Sequence, residues 1–187
     1  MKTVALTGSI ASGKTFVLKF VRSLRLPAID CDALAQKLYR LPAVKKKLLA
    51  EFNTAERKEI AKIAFSSSKK RKSLESILHP LVWKLVTQKL SKFQKQKKPV
   101  AFVDVPLLFE AGWQNRFDKT VFVRATRAQC LARLKKRGLS QKEAVQRWNA
   151  QLSPRKKVKR AHYTIDNTGT RMATKRQVRK LVDSLMH

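Results

Sequence analysis

Gly8-Ser9-Ile10-Ala11-Ser12-Gly13-Lys14-Thr15 directly follows the apolar stretch Thr3-Val4-Ala5-Leu6, fits the pattern GxxxxGK[ST] and uses two of the chain's five glycines. The pattern binds phosphate for physical reasons. Glycine lets the backbone curl so that its N–H groups face the phosphates, and a following helix N-terminus adds positive potential. Lys14 can reach the outer phosphates of a nucleoside triphosphate such as ATP, and the Thr15 hydroxyl can ligate Mg²⁺. The segment Phe16-Val17-Leu18-Lys19-Phe20-Val21-Arg22 carries apolar residues at helical spacing, which sets the loop between a strand and a helix.

Three further groups could carry chemistry. Asp30 and Asp32 end a short apolar segment, at the strand edge where open α/β sheets place ligands. A carboxylate there can accept the proton of an attacking hydroxyl, or Asp32 can cap a helix that begins at Ala33. Asp104 closes the apolar run Val100-Ala101-Phe102-Val103 and suits a metal-holding role. It is followed by Pro106-Leu107-Leu108-Phe109-Glu110, an apolar cluster with one acid that reads equally as core. The stretch from Arg133 through Arg137 to Gln151 is rich in guanidinium groups, which can close over a transferring phosphoryl or simply face solvent.

The elements that must position these groups alternate. Strands are expected near residues 2–7, 26–29, 100–104, 120–123 and 162–166. Helical periodicity runs almost unbroken from Ala33 to about Lys98, with breaks near Pro42, at 52–54 and at 66–68. This order predicts an α/β fold with a parallel five-stranded sheet covered on both faces. The expected parts are a core of residues 1–32 and 99–187, a helical insertion of residues 33–98, and a lid of about residues 133–160 within the core. The 187 residues suit one domain with an insertion. No stretch approaches the roughly 18 to 20 apolar residues of a membrane helix, no signal peptide is visible, and the expected location is the cytoplasm. Cys31 and Cys130 are too few and too far apart for a zinc site or a disulfide framework.

Charge is the unusual bulk property: 43 Lys and Arg against 12 Asp and Glu, a formal net charge of +31. Runs such as 45–47, 69–72, 95–98 and 155–160 read either as solvated helix faces around a polyanionic substrate or as a footprint for non-specific binding to nucleic acid. They lack the interleaved aromatics that stack bases.

Read in order, several segments together resemble the dephospho-CoA kinase family. They are Ala5-Leu6-Thr7-Gly8 with the phosphate loop, Ile29-Asp30-Cys31-Asp32, Arg57 with Ile63-Ala64-Phe65-Ser66, and Leu78-His79-Pro80-Leu81-Val82. Asp104 through Glu110, Arg133 to Arg137, Gln151 and Ile165-Asp166-Asn167 complete the set. The resemblance spans nearly the whole chain. It implies a P-loop kinase fold and ATP-dependent phosphorylation of the ribose 3′-hydroxyl of dephospho-CoA, with Mg²⁺. By the same resemblance Asp32 is the general base, Thr7 and the loop Gly8 to Thr15 hold the phosphates, and Arg137 is the lid cation. His79 and the run Pro106 to Glu110 lie along the acceptor, and Asn167 lies near the adenine. Thr15 and Asp104 are the expected metal-side residues. The chain departs from the family at Ser9 and Ala11, where glycine is usual, at His162, where aspartate is usual, and in a shorter segment between Tyr39 and Arg57. A different small-molecule or nucleoside kinase, or a basic nucleic-acid-binding NTPase, are the alternative readings of the loop and the charge.

Overall fold

A computed structural model describes residues 1–186, and the side chain of Phe65, one residue of the insertion motif, lies outside the described set. Strands β1 (Lys2–Gly8), β2 (Ala28–Asp30), β3 (Val100–Asp104), β4 (Lys119–Arg124) and β5 (Tyr163–Asp166) form one sheet in the order β2-β3-β1-β4-β5. β1 pairs in parallel with β3 and β4, and β4 with β5. Every strand therefore reaches its neighbour by a crossover, and the helices supply those connections.

The chain divides into two compact units, residues 1–29 with 92 to the C-terminus, and residues 30–91. In the first, α1 (Lys14–Ser23) and α9 (Arg171–Met186) pack on one face of the sheet. Val17, Leu18 and Val21 of α1 and Val178, Val182 and Leu185 of α9 bury against Val4, Leu6, Phe102, Val121, Val123 and Ile165. Ala5, Val103 and Phe122, which alternate with those strand residues, are buried too, so both faces are covered. This double burial is why the strands read as continuous apolar runs. The remaining helices of this unit are α6 (Arg127–Lys135), α7 (Gln141–Asn149) and α8 (Pro154–Arg160). The first two begin with capping boxes, Thr126 with Gln129 and Ser140 with Glu143.

The second unit is helical: α2 (Cys31–Leu38), α3 (Pro42–Phe52), α4 (Arg57–Ser66) and most of α5 (Ser68–Lys95). The breaks fall where the sequence places them. Pro42 opens α3, where its missing N–H has no helical partner to lose, and Asn53 closes it in a left-handed conformation at φ 56°. Cys31, Leu34, Leu38, Val44, Leu48, Phe52, Ile60, Ala64, Leu78, Val82 and Val86 are this unit's buried apolar residues among those described, at helical spacing. Lys70 of α5 secures the end of α3, with Nζ 2.6 Å from the Glu51 carbonyl, 3.0 Å from its carboxylate, and 5.4 Å from the Phe52 ring centre.

One expectation is corrected at the start of this unit. The cap of the helix after β2 is Asp30, whose Oδ1 accepts from Ala33 N at 2.9 Å, and not Asp32. The helix begins at Cys31, two residues before the expected start, so Asp32 falls within the first turn.

His162, where the family usually has aspartate, ties the start of β5 to β4. Its Nδ1 lies 2.8 Å from Thr120 Oγ1 and accepts from Thr120 N at 3.2 Å, while its own N–H reaches the Thr120 carbonyl at 3.0 Å. An acceptor atom on a short side chain is what the start of the β4–β5 ladder needs, and a carboxylate offers the same. His162→Asp should keep the melting temperature within a few degrees, whereas His162→Ala should lower stability by about 1 to 2 kcal/mol because Thr120 loses its partner. Thermal unfolding of the two variants checks this.

Asp118 ties the first strand down in a similar way. Its Oδ2 accepts from Thr3 N and from Thr3 Oγ1, both at 2.7 Å, and these bonds hold its carboxyl below the ordinary carboxylate range. A depressed carboxyl contributes stability that is complete above its unfolded pKa and is lost as pH falls through the folded value. Asp118→Asn should therefore cost stability at neutral pH and flatten the acid limb of a melting-temperature profile below about pH 4. An unchanged acid limb would contradict this assignment.

Candidate active site

The phosphate loop starts at the last residues of β1. Thr7 is fully buried and donates from Oγ1 to the Pro106 carbonyl at 3.3 Å. Gly8 has no room for a side chain: a Cβ would sit 2.6 Å from Ser12 Oγ and 2.7 Å from the Val123 carbonyl. Gly13, at φ 103°, is the N-cap of α1, and a Cβ there would strike the side-chain amide of Asn167. Ser12 N closes the curl onto the Ser9 carbonyl at 3.1 Å, and Lys14 and Thr15 form the first turn of α1. Ser12 Oγ is buried and has no hydrogen-bond partner among the described residues.

The two family departures behave differently. Ser9 is absent from the positive-φ residues, so a side chain there costs the backbone nothing. Ala11 adopts φ 58°, the left-handed region, which costs a residue with a Cβ about 1 to 2 kcal/mol. Its methyl is buried in a small cluster with Leu131, Leu134 and Ala144 of α6 and α7, and burying one methyl returns about 0.8 kcal/mol. Ala11→Gly should consequently shift stability by less than about 1 kcal/mol. Gly13→Ala should cost more than about 2 kcal/mol and abolish the loop conformation. Denaturant unfolding of both variants separates the two glycine positions.

Much of the loop's backbone is already held from outside. Arg133 Nη1 on α6 donates to the carbonyls of Ala11 and Ser12, both at 3.1 Å. Asn167, 7% exposed just after β5, donates from Nδ2 to the Ser12 carbonyl at 2.8 Å and accepts at Oδ1 from Thr174 at 2.9 Å. Ile10 N donates to Gln151 Oε1 at 2.9 Å. Asn167 and Ile10, both expected at the nucleotide, thus spend these polar groups on loop shape. Thr174 carries no signal in the sequence pattern, whereas Arg133 and Gln151 bound the stretch expected to close over the phosphoryl group and instead hold the loop backbone. Among them, Arg133 stands one helical turn from Arg137, so the basic stretch held both. Arg137 itself is exposed, in the turn between α6 and α7 that Gly138 completes at φ 87°.

Asp104 is buried at the end of β3, opposite Leu6 in the register, and Val105 N bonds the Leu6 carbonyl at 2.9 Å. The segment beyond it turns back on itself, with Ala111 N on the Leu107 carbonyl and Trp113 N on that of Leu108. Leu108 and Phe109 are buried, while Pro106 and Leu107 are half-buried. Glu110 faces α8: its Oε1 accepts from Leu152 N at 3.0 Å and lies 2.7 Å from Lys157 Nζ. Arg160 stacks over the Phe109 ring at 5.7 Å. Lys157 corrects the reading of the 155–160 run as an exposed charge, because it is 0% exposed. A cavity of about 270 Å³ beside the loop is lined by Ser9, Trp148, Asn149 and the 151–154 segment.

The first unit therefore brings together the loop, Asp104, the 106–110 segment and Asn167, at the C-terminal ends of its strands. The second holds Asp32, exposed in the first turn of α2, and His79, half-buried in α5 beside Pro80. No group of three or more His, Cys, Asp or Glu side chains that could hold a metal occurs among the described residues. The oxygens of Thr15 and Asp104 are hard donors of the type Mg²⁺ takes in ones and twos beside substrate phosphates.

Comparison with known proteins adds an independent line. The family model described as Dephospho-CoA kinase matches residues 2–172. The chain is 35% identical over 172 residues to Dephospho-CoA kinase of Thermus thermophilus, covering 89% of this chain and 83% of that one. It is 32% identical over 194 residues to that of Aquifex aeolicus, covering 99% and 98%. A Dephospho-CoA kinase domain-containing protein of Danio rerio is 38% identical over 196 residues, covering 99% and 86%. Among solved structures, one from Thermus thermophilus superposes with a TM-score of 0.85 at 32% identity, covering 98% and 97%. Dephospho-CoA kinase from Campylobacter jejuni gives 0.71 at 25% identity, covering 100% and 98%. A shikimate kinase at 21% identity and a TM-score of 0.55 shares the fold alone. With the family match running from β1 to the start of α9 and a phosphate loop of the required geometry, the chain belongs to the dephospho-CoA kinase family.

Proposed function

We propose that this chain moves the γ-phosphoryl group of ATP to the ribose 3′-hydroxyl of dephospho-CoA, giving coenzyme A, the last step of its synthesis. The observation that carries this reading is the loop itself, curled by Gly8 and Gly13 and braced on its outer side by Arg133, Gln151 and Asn167, in a chain of this family. Bracing matters because phosphoryl transfer is mostly positioning and charge neutralisation. Donors fixed before the substrate arrives need no reorganisation during the reaction.

The roles follow from the residue types. Lys14 supplies a compact cation to the outer phosphates. The Thr15 hydroxyl and Asp104 would hold Mg²⁺, which when bound would supply charge neutralisation at the phosphates. Asp32 takes the proton of the 3′-hydroxyl as its oxygen attacks in line, and Arg137, on its exposed turn, stabilises charge on the transferring group. Asn167 serves the nucleotide by fixing the loop under it. The segment from Pro106 to Phe109, anchored by Glu110, serves the acceptor, and the family resemblance gives His79 of the insertion an acceptor role as well. The location that fits this chemistry is the cytoplasm, and no helix among the described residues is long and apolar enough to cross a membrane.

Formation of ADP, measured with dephospho-CoA, shikimate and nucleoside monophosphates offered in turn, tests the acceptor. ADP release that depends on dephospho-CoA alone supports the reading, and release with another alcohol in its place would redirect it. The +31 charge supports a secondary property, non-specific association with nucleic acid. Such binding should fall by orders of magnitude between about 50 and 200 mM salt and be indifferent to ATP.

A further inference from the structure

The fully buried ammonium of Lys157 is an expensive feature that phosphoryl transfer, as derived above, does not use. Burial pushes its pKa down, the nearby Lys14 charge pushes the same way, and Glu110 pulls it back up. The Nζ–Oε1 contact of 2.7 Å is a short ion pair, and the second Glu110 oxygen, Oε2, is buried with no hydrogen bond among the described residues. Such a pair is seldom a net source of stability, because desolvating two charges costs about what their attraction returns. Its retention calls for another reason.

The contacts around Glu110 supply one. Its Oε1 accepts from Leu152 N at 3.0 Å, and the preceding residue, Gln151, accepts from Ile10 N in the phosphate loop at 2.9 Å. At the other end of the same segment, Pro106 accepts from Thr7 Oγ1, immediately before the loop. These contacts close a circuit: from Thr7 to Pro106, along the chain to Glu110, across to Leu152 and Gln151, and back to Ile10. Lys157 supplies the positive charge that lets the Glu110 carboxylate stay buried in that circuit.

We infer that Lys157 is a positioning residue for the phosphate loop, acting through Glu110 and the Gln151-Leu152 backbone rather than by touching the nucleotide. Without its cation, the buried carboxylate is uncompensated and must turn outward to water. Leu152 then loses its acceptor, Gln151 shifts, and the amide of Ile10 is released, so the loop no longer holds one conformation. The inference rests on the nucleotide-binding half of the proposed function and not on the acceptor.

Its test is ATP affinity, measured by calorimetry without any acceptor, beside thermal stability. Lys157→Met should lower the melting temperature and weaken ATP binding about tenfold, the loss of roughly one net hydrogen bond. Two double variants then separate positioning from stability. Glu110→Leu with Lys157→Met removes both charges and the acceptor for Leu152: stability should return, because a buried pair is often replaceable by apolar groups, while ATP binding stays about tenfold weak. Glu110→Gln with Lys157→Met keeps a neutral acceptor for Leu152, and its ATP affinity should return to within about threefold of the starting protein. Starting affinity in the leucine double variant would overturn the inference, as would equal weakness in the glutamine one. Should Lys157→Met fail to fold, the two double variants still decide the matter. If the unaltered chain binds ATP but never phosphorylates dephospho-CoA, the acceptor assignment fails and this inference stands.

Discussion

Asp32→Asn is expected to lower turnover by about 10² to 10⁴ while leaving ATP affinity nearly intact, the range lost when a positioned general base is removed. The substitution conserves shape but removes the negative charge, and with it the capacity to take a proton. Its structural cost is small, because Asp32 is exposed in the first turn of α2, where a negative charge is worth about 0.3 to 1 kcal/mol against the helix dipole. The neighbouring Asp30 provides the contrast. It caps α2 through Ala33 N, so Asp30→Ala should cost about 1 kcal/mol of stability. Turnover per folded molecule should stay within about twofold of normal, because capping takes no part in proton transfer. Steady-state rates and melting temperatures of the two variants form a crossed pair. If Asp32→Asn turns over normally, the proton goes elsewhere.

Lys14→Ala is the second large effect. Removing one preorganised charge partner of a transferring group costs about 10² to 10³ in turnover, and Lys14 is the first residue of the helix that the loop opens. Its loss should weaken ATP binding as well, because the lysine acts on phosphates that are bound in the ground state too. The fold should survive. The Lys14 charge already pushes down the pKa of the buried Lys157, so its removal relieves a like-charge repulsion. A variant that melts no earlier than the starting protein, binds ATP more weakly and turns over at least about a hundredfold slower fits this account. Unchanged turnover in a folded Lys14→Ala protein would contradict the phosphate-loop assignment.

The sheet was legible because its chemistry is local and repetitive. Val100 to Asp104 reads as a buried strand and has those bounds, and Pro42, Asn53 and Ser67 break the helical insertion where their backbone preferences require. The loop was legible for the same reason, since Gly8 and Gly13 answer two steric demands that a glycine can meet. What escaped the sequence depends on partners far along the chain. Lys157 sits in a run of cations and reads as solvated. Only its packing against Glu110, 47 positions earlier, buries it. The cap on α2 moved from Asp32 to Asp30 because the helix begins two residues early, a shift that periodicity in an eight-residue helix cannot resolve. Ala11, where the family usually has glycine, gives up backbone freedom, and its compensating contacts come from α6 and α7, more than a hundred residues away.

These cases share a pattern. Residues that touch phosphate carry their function in their type and spacing, so Lys14 and Thr15 announce themselves. Residues that hold the loop do so through long-range hydrogen bonds, so Arg133, Gln151 and Thr174 acquire their meaning only once α6, the segment after α7 and the start of α9 are assembled around it.

The most direct test of the central claim is the identity of the product when the chain is given ATP, Mg²⁺ and dephospho-CoA. Mass spectrometry with ³¹P NMR should show one phosphoryl group added to the acceptor, esterified at the ribose 3′-oxygen, with ADP formed in equal amount. Phosphate appearing only as free orthophosphate, or on any other oxygen of the acceptor, would contradict it.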